Sequence, residues 1–92
     1  MNKPEAYFTK FDNESNLVKG EVGIYSFSAK LFNTPSMHGI EGGRVSKLSI
    51  FDGSVCFVHY DRGWDITPSQ EDEIYFDAVM ELLENSDERD LD

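Results

Sequence analysis

The segment RVSKLSIFDGSVCFVHY, residues 44–60, carries the strongest structural signal in the chain, because two apolar runs flank the pair Asp52-Gly53. An Asp-Gly pair in this setting predicts a β-hairpin, since type I′ turns need positive φ at both central residues. A two-residue turn at Asp52-Gly53 also sets the register of the two strands. One face of the hairpin, which we predict to be buried, then carries Leu48, Ile50, Val55 and Phe57. At the open end of the hairpin, the same register places Arg44 opposite Asp61.

Upstream of the hairpin, the pattern predicts further strands and one long loop. Ala6–Phe11 is short and aromatic-rich, as strands often are. Leu17–Phe32 is typical of one long strand, or of a strand with a kink, because its second half alternates apolar and polar residues. Gly20 and Gly23 mark a bulge or bend within it. Asn33–Gly43 contains one proline and three glycines and is predicted to be a loop.

Downstream of the hairpin, the pattern predicts a helix from about Pro68 to Asn85. Thr67 would be its N-cap, Pro68 would take the first helical position, and Gln70 would complete a capping box. The apolar side chains recur at helical spacing on one stripe, so the helix is amphipathic. Strands followed by one helix are typical of an α+β domain.

We therefore expect a single α+β domain over residues 1–86, followed by an acidic disordered tail at residues 87–92. Its antiparallel sheet would have about four strands, and the amphipathic C-terminal helix would pack on one face. The predicted core consists of Tyr25, Phe27, Leu31, Leu48, Ile50, Val55, Phe57, Ile74, Val79, Leu82 and Leu83.

The acidic residues are concentrated at the C-terminal end. The formal net charge is −10, and of the 18 acids ten fall in the last 22 positions, where Arg89 is the one base. A charge run of this kind is usually a solvated face with a solubilising tail. The alternative is a docking surface for a basic partner, since spaced carboxylates can imitate a row of phosphates. The predicted partner-binding residues are Glu73, Asp77, Glu81, Glu84, Asp87 and Glu88.

A second candidate site joins the long loop to the segment after the hairpin. Its members would be His38, Glu41, Arg44, Asp61, Arg62, Trp64 and Asp65. Trp64 between charged residues could be a binding anchor, because Trp and Arg dominate binding hot spots. In the alternative interpretation, Trp64 closes the core under the helix and the charged residues form structural ion pairs.

The sequence does not predict catalytic or metal chemistry. Cys56 and His59 are three residues apart on a strand, so simple alternation directs them to opposite faces. No spacing typical of a zinc site or of an EF-hand occurs. We expect a protein that is not an enzyme, needs no cofactor and holds no metal. A single cysteine and the lack of a signal-like or membrane-spanning apolar run predict a cytoplasmic protein.

Two segments, GIEGGRVSKLSI at 39–50 and YDRGWDI at 60–66, carry a resemblance. They resemble a family of small uncharacterised proteins from Firmicutes and their phages and mobile elements, through the patterns GGRxSKL and YDRGWD. The resemblance covers under a third of the chain. It implies a phage or mobile-element setting and implies no particular chemistry.

These observations lead to two functional hypotheses. The first is a small acidic binding protein that occludes a basic host protein, such as one that binds nucleic acid, as anti-restriction and anti-CRISPR inhibitors do. The net negative charge argues against direct binding of nucleic acid or anionic membranes. The second is a homo-oligomeric assembly protein that uses exposed sheet surface, with Phe51, Val58 and Tyr60 in the contact. An enzyme acting at the loop site would need a pocket with convergent polar groups.

Overall fold

The computed structural model describes residues 3–12 and 14–86, and in these ranges it contains six strands and one α-helix. The strands are β1 (Ala6–Asp12), β2 (Leu17–Val22), β3 (Tyr25–Leu31), β4 (Val45–Asp52), β5 (Val55–Asp61) and β6 (Trp64–Ile66). They form one antiparallel sheet in chain order, each strand pairing with the next. The α+β class is confirmed, but six strands replace the predicted four.

Two chain reversals account for the additional strands. Leu17–Phe32 is not one strand, because the chain turns back at Gly23 and Ile24 and β2 pairs directly with β3. Gly23 has a φ of 60°, a backbone conformation that glycine adopts without steric cost. Ile24 at the tip of the turn is apolar although it is 86% exposed. The sequence of Leu17–Phe32 therefore resembles one uninterrupted strand. The second reversal, at Arg62 and Gly63, leads into the three-residue strand β6.

The hairpin of β4 and β5 turns one residue later than predicted. Its central residues are Gly53 and Ser54, and Asp52 pairs with Val55. Gly53 has a φ of 61°, so glycine takes the first central position, where type II′ turns place it. The prediction of a turn centred on Asp52-Gly53 is therefore wrong by one residue, because a glycine suits either position of a primed turn.

A register shift at Phe57 moves the pairing further. Ile50 pairs with Val58 and Leu48 pairs with Tyr60, so Phe57 is the extra residue of a β-bulge. Val58 and Tyr60 are consequently buried in the core rather than exposed. The predicted oligomer contact on these two side chains is therefore wrong.

The helix α1 (Glu73–Asn85) ends where predicted but begins five residues later. A 3₁₀ turn at Gln70–Asp72 precedes it. Ser69, not Thr67, stands before that turn, and its hydroxyl donates to the carboxylate at the end of the turn at 2.9 Å. The predicted capping box around Pro68 is therefore wrong, and a serine–aspartate contact takes its place.

The core lies between one sheet face and α1, which packs on β1, β2 and β4. Buried as predicted are Phe27, Leu31, Leu48, Ile50, Val79 and Leu83. Half-buried against them are Tyr25, Phe57 and Leu82. Two predictions are wrong, because Val55 is 64% exposed and Ile74 is 37% exposed. The core also contains residues that were not predicted, namely Val18, Val22, Ala29, Ile40, Val45, Val58, Tyr60 and Ala78.

The Asn33–Gly43 loop is confirmed, and it is anchored to the domain. Ile40, in a short 3₁₀ turn within the loop, is only 2% exposed and joins the core. The Tyr60 hydroxyl donates to the carbonyl oxygen of His38 at 2.8 Å. These two attachments hold the loop against the end of the sheet.

Candidate functional site

Three carboxylates project from the exposed side of α1. Glu73, Asp77 and Glu81 are exposed and lie four residues apart. At about 1.5 Å of rise per residue, successive members are about 6 Å apart along the helix axis. We call these three residues the acidic ridge. Like charges at this spacing repel by a few tenths of a kcal/mol per pair, so the ridge does not stabilise the helix.

Glu84, predicted to belong to the same surface, contacts Arg44 instead. Its Oε2 accepts the backbone N–H of Arg44 at 3.1 Å, and its Oε1 lies 3.6 Å from Arg44 Nε. Arg44 Nη2 lies 2.9, 3.1 and 2.7 Å from the carbonyl oxygens of Leu83, Glu84 and Ser86. A helix leaves such C-terminal carbonyls without partners, and its negative dipole end attracts a cation. Arg44 therefore caps α1, and Glu84 holds Arg44 in place.

Glu81 has a weaker tie to the rest of the chain. The Lys3 ammonium bonds to its carboxylate, but the two side chains remain 50% and 61% exposed. Exposed pairs of this kind contribute only about 0–1 kcal/mol. A cation from another molecule could therefore replace Lys3 at little cost. The other predicted partner-binding residues, Asp87 and Glu88, lie outside the described residues.

An open cavity of about 540 Å³ lies where the Asn33–Gly43 loop meets the sheet. Its charged and titratable lining consists of Lys30, Lys47, Arg62, Asp61 and His38. The rest of the lining consists of Phe32 and three hydroxyl residues, Thr34, Ser36 and Ser46. We call this cavity the cationic depression. Three members of the predicted loop site, His38, Asp61 and Arg62, are brought together here.

The two lysines of the cationic depression are not among the predicted site residues. Lys30 lies between the buried residues Ala29 and Leu31, and it pairs directly with Lys47 across β3 and β4. Strand alternation therefore places both lysines on the sheet face opposite α1. The alternation of β3 already assigned Lys30 to a polar face. The pairing with Lys47 could not be predicted, because a long loop separates the two strands.

Two other members of the predicted loop site lie elsewhere. Arg44 is turned towards the end of α1, and the predicted pairing of Arg44 with Asp61 is wrong, because Asp61 pairs with Lys47. The pairing differs from the prediction because the hairpin turns one residue later and has a bulge at Phe57. Glu41 is exposed and has a φ of 53°, so it sits at a bend of the loop without lining the cavity.

Trp64 combines the two roles that the sequence left open. Its ring centroid lies 5.1 Å from that of Tyr60 and 5.5 Å from that of Phe76, so it packs under the helix. It nevertheless remains 43% exposed. The neighbouring Asp65 has its Oδ2 within 3.0 Å of His59 Nδ1, and it does not line the cationic depression.

Two groups on β1 have shifted pKa values, each with a local cause. The hydrogen bond that the Tyr7 hydroxyl donates to Glu21, together with the charge of that carboxylate, raises the pKa of Tyr7. Bonds from the Ser15 hydroxyl and from the backbone N–H of Glu14 lower the pKa of Asp12. Neither group belongs to the acidic ridge or to the lining of the cationic depression.

Cys56 and His59 occupy the same face of the sheet, because the bulge between them reverses the alternation that predicted opposite faces. The Cys56 thiol donates to the carbonyl oxygen of Val58 at 3.2 Å. Within residues 3–12 and 14–86, no three His, Cys, Asp or Glu side chains are arranged to hold a metal ion. In the same ranges, the structure has no helix with the length and apolarity required to cross a bilayer.

A family model described as "Domain of unknown function (DUF7678)" matches residues 16–84. The chain belongs to this family. The matched segment of the DUF7678 domain runs from just before β2 almost to the end of α1, so it contains both the acidic ridge and the cationic depression. Comparison with curated proteins and with solved structures gave no significant match.

Proposed function

We propose that this DUF7678 protein is a non-enzymatic binding protein whose acidic ridge docks on a cationic surface of another protein. This proposal rests on how few ion pairs the described residues form with the three ridge carboxylates. Among the described residues, no ion pair includes Glu73 or Asp77, and Glu81 has only an exposed pair with Lys3. These carboxylates are therefore available to a partner.

The physical basis of docking would be electrostatic complementarity. A formal net charge of −10 attracts a basic protein over a distance set by the ionic strength, and the ridge supplies the short-range contacts. The ridge lies on a helix whose C-terminal end is fixed by Arg44. Because the backbone under the row is already ordered, the conformational cost of binding is limited to the side chains, which favours affinity.

The partner we favour is a nucleic-acid-binding protein of a host cell. A row of carboxylates about 6 Å apart can occupy a groove that otherwise receives phosphates. The resemblance of the GGRVSKL and YDRGWD segments to proteins of Firmicutes phages and mobile elements supports a setting in which such an inhibitor would act. In that setting the protein would work in the cytoplasm, as anti-restriction and anti-CRISPR proteins do.

The test is capture of proteins from host lysate by the immobilised protein, in about 50 mM and about 500 mM salt. Screening shortens from more than 10 Å to a few Å over this range, so bound basic proteins should elute. Added duplex DNA should compete for the same partners. The ridge variant E73K/D77K/E81K should lose them.

The matched control is E14K/E41K/D52K, which changes the net charge equally at three exposed acids outside α1. It should retain most of the binding if the ridge itself is the contact. Equal retention by the ridge variant and the wild type, or capture that is indifferent to salt, would reject the proposal.

A homo-oligomeric assembly protein is the second candidate, and the exposed edge strand β6 favours it. Val58 and Tyr60 are buried, but Trp64 and Ile66 on β6 are 43% and 39% exposed. Edge strands with exposed apolar side chains readily add a second copy. Light scattering at several protein concentrations decides this: a constant monomer mass eliminates the candidate, and a dimer that W64A/I66S abolishes supports it.

A further inference from the structure

We propose that the cationic depression binds a small phosphorylated ligand of nucleotide size. The site shares no residue with the acidic ridge and lies on the opposite face of the sheet. Ligand binding at this site would therefore be a property beyond the proposed docking function, and it can be tested separately. Two features of this cavity are unfavourable without a ligand, namely the repulsion between two lysines and the left-handed backbone conformation of an arginine. A bound anion would offset the first and account for the second.

The first arrangement is the pair of lysines. Lys30 and Lys47 are direct cross-strand partners in β3 and β4, and like charges in this position destabilise a sheet. In residues 3–12 and 14–86, neither ammonium group forms an ion pair. On its other side Lys47 pairs with the oppositely charged Asp61, which offsets part of the repulsion, but Lys30, Lys47 and Arg62 still give the cavity an excess of positive charge. A bound anion would convert the repulsion into a shared attraction.

The second arrangement is the backbone of Arg62. Its φ of 61° lies in the left-handed region, which costs a side chain-bearing residue about 1–2 kcal/mol. Glycine would adopt this conformation freely, and Gly63 follows immediately. The tight turn by itself thus gives no reason for arginine. Its position in the lining of the same cavity as the two lysines gives one, because guanidinium binds phosphate oxygens in pairs.

The composition of the cavity matches a phosphate group with an organic portion attached. Three fixed cations face one carboxylate, Asp61, and three hydroxyl residues can donate further hydrogen bonds. Phe32 is 37% exposed and offers a ring for a base or sugar to pack against. A volume of about 540 Å³ falls within the range of about 300–1,000 Å³ that small-molecule sites occupy.

The surroundings favour a small ligand over a nucleic acid. A polyanion would be repelled by the net charge of −10 along its length, whereas a small ligand meets mainly the local cations.

The sheet also contains a control pair of lysines. Lys10 and Lys19 are a second pair of direct cross-strand partners, in β1 and β2, and they lie outside the lining of the cavity.

The experiment is a calorimetric titration and a thermal melt with AMP, adenosine, inorganic phosphate and chloride at matched ionic strength. We expect AMP to bind and to raise Tm by about 10–20 °C at about one hundred times its Kd. Inorganic phosphate should bind more weakly at the same site, and adenosine and chloride should give no shift.

Two pairs of substitutions locate the binding. K30Q/K47Q should weaken AMP about tenfold or more, since charged hydrogen bonds are lost. Without ligand it should melt close to the wild type, because the repulsion between the lysines and the attraction of Lys47 to Asp61 are both removed. K10Q/K19Q, with the same change of charge, should bind AMP like the wild type. R62G should stabilise the free protein and weaken AMP, a combination that a purely structural arginine would not show.

Three outcomes would overturn the proposal. AMP and phosphate could fail to shift Tm beyond the chloride control. Both lysine pairs could matter equally, which would indicate diffuse attraction rather than a site. A single-stranded oligonucleotide could bind far more tightly than AMP with both pairs required, which would assign the surface to a nucleic acid strand.

Discussion

Glu81 and Glu84 lie within one turn of α1, yet they have different surroundings. Glu84 is bonded to the backbone and guanidinium of Arg44, and the side chains of this pair are only 32% and 15% exposed. Glu81 meets Lys3 in a pair that is mostly in solvent. The position of an acid on a helix therefore does not decide whether it is structural or available. The partner brought to it by another part of the chain decides that.

Among these substitutions, R44M should have the largest effect on stability. Loss of the cap removes the guanidinium donor from the carbonyls of Glu84 and Ser86, whereas the Leu83 carbonyl keeps Ser86 as a donor, and it leaves Glu84 partly buried without its cation. We expect a loss of about 2–4 kcal/mol in the free energy of unfolding, measured by urea denaturation. The matched change K3M, which removes the base beside Glu81, should cost no more than about 0.5 kcal/mol. Similar costs for the two variants would mean that the two pairs are equivalent.

A smaller effect of opposite sign is expected in the middle of the acidic ridge. D77K replaces two repulsive spacings, to Glu73 and to Glu81, by attractive ones. We expect stabilisation by about 0.5–1 kcal/mol at low salt, decreasing as salt is added. D77N, which removes the repulsion without adding attraction, should lie between D77K and the wild type. If D77K destabilises the protein, Asp77 has a structural partner and does not belong to an available surface.

The smallest effect concerns Asp12, a partly exposed acid at the end of β1 whose carboxylate accepts the backbone N–H of Glu14 at 3.1 Å. Its pKa is lowered in the folded protein, so folding favours the ionised form. The resulting stabilisation is complete above the unfolded pKa of about 3.9 and disappears as pH falls through the lower folded pKa. Urea denaturation of the wild type and D12A from pH 7 to 2 should show a difference that shrinks below pH 4. A difference that stays constant would remove the ionised carboxylate as its cause.

Part of the fold could be predicted because its signals are local. The periodicity that ends at Asn85, the alternation of β3 and the paired apolar runs of β4 and β5 all depend on neighbouring residues. The errors arose where one residue could serve two geometries. Gly53 fits either central position of a primed turn, and the bulge at Phe57 leaves no mark in the apolar pattern. Together they moved Val55 out of the core and Val58 into it.

The candidate sites were harder to predict, because they depend on contacts between distant segments. Exposure of Glu73, Asp77 and Glu81 followed from helical periodicity. The contact between Glu84 and Arg44 did not follow from that periodicity, because it requires Arg44, the residue before β4, to lie at the end of α1. The cationic depression likewise needs β3 paired to β4 and the intervening loop folded against them. The signal in the sequence was limited to a lysine on the polar side of each strand.

The cap that Arg44 places on α1 also has a kinetic consequence. Every strand pairs with its neighbour in the chain, so the longest loop that the sheet has to close is the segment between β3 and β4. The bonds from Arg44 to Leu83 and Ser86 span about 40 residues and close later, because long loops cost more entropy. Loss of this cap should therefore accelerate unfolding in stopped-flow experiments and leave the refolding rate nearly unchanged. A slowed refolding limb in R44M would place helix docking in the folding nucleus instead.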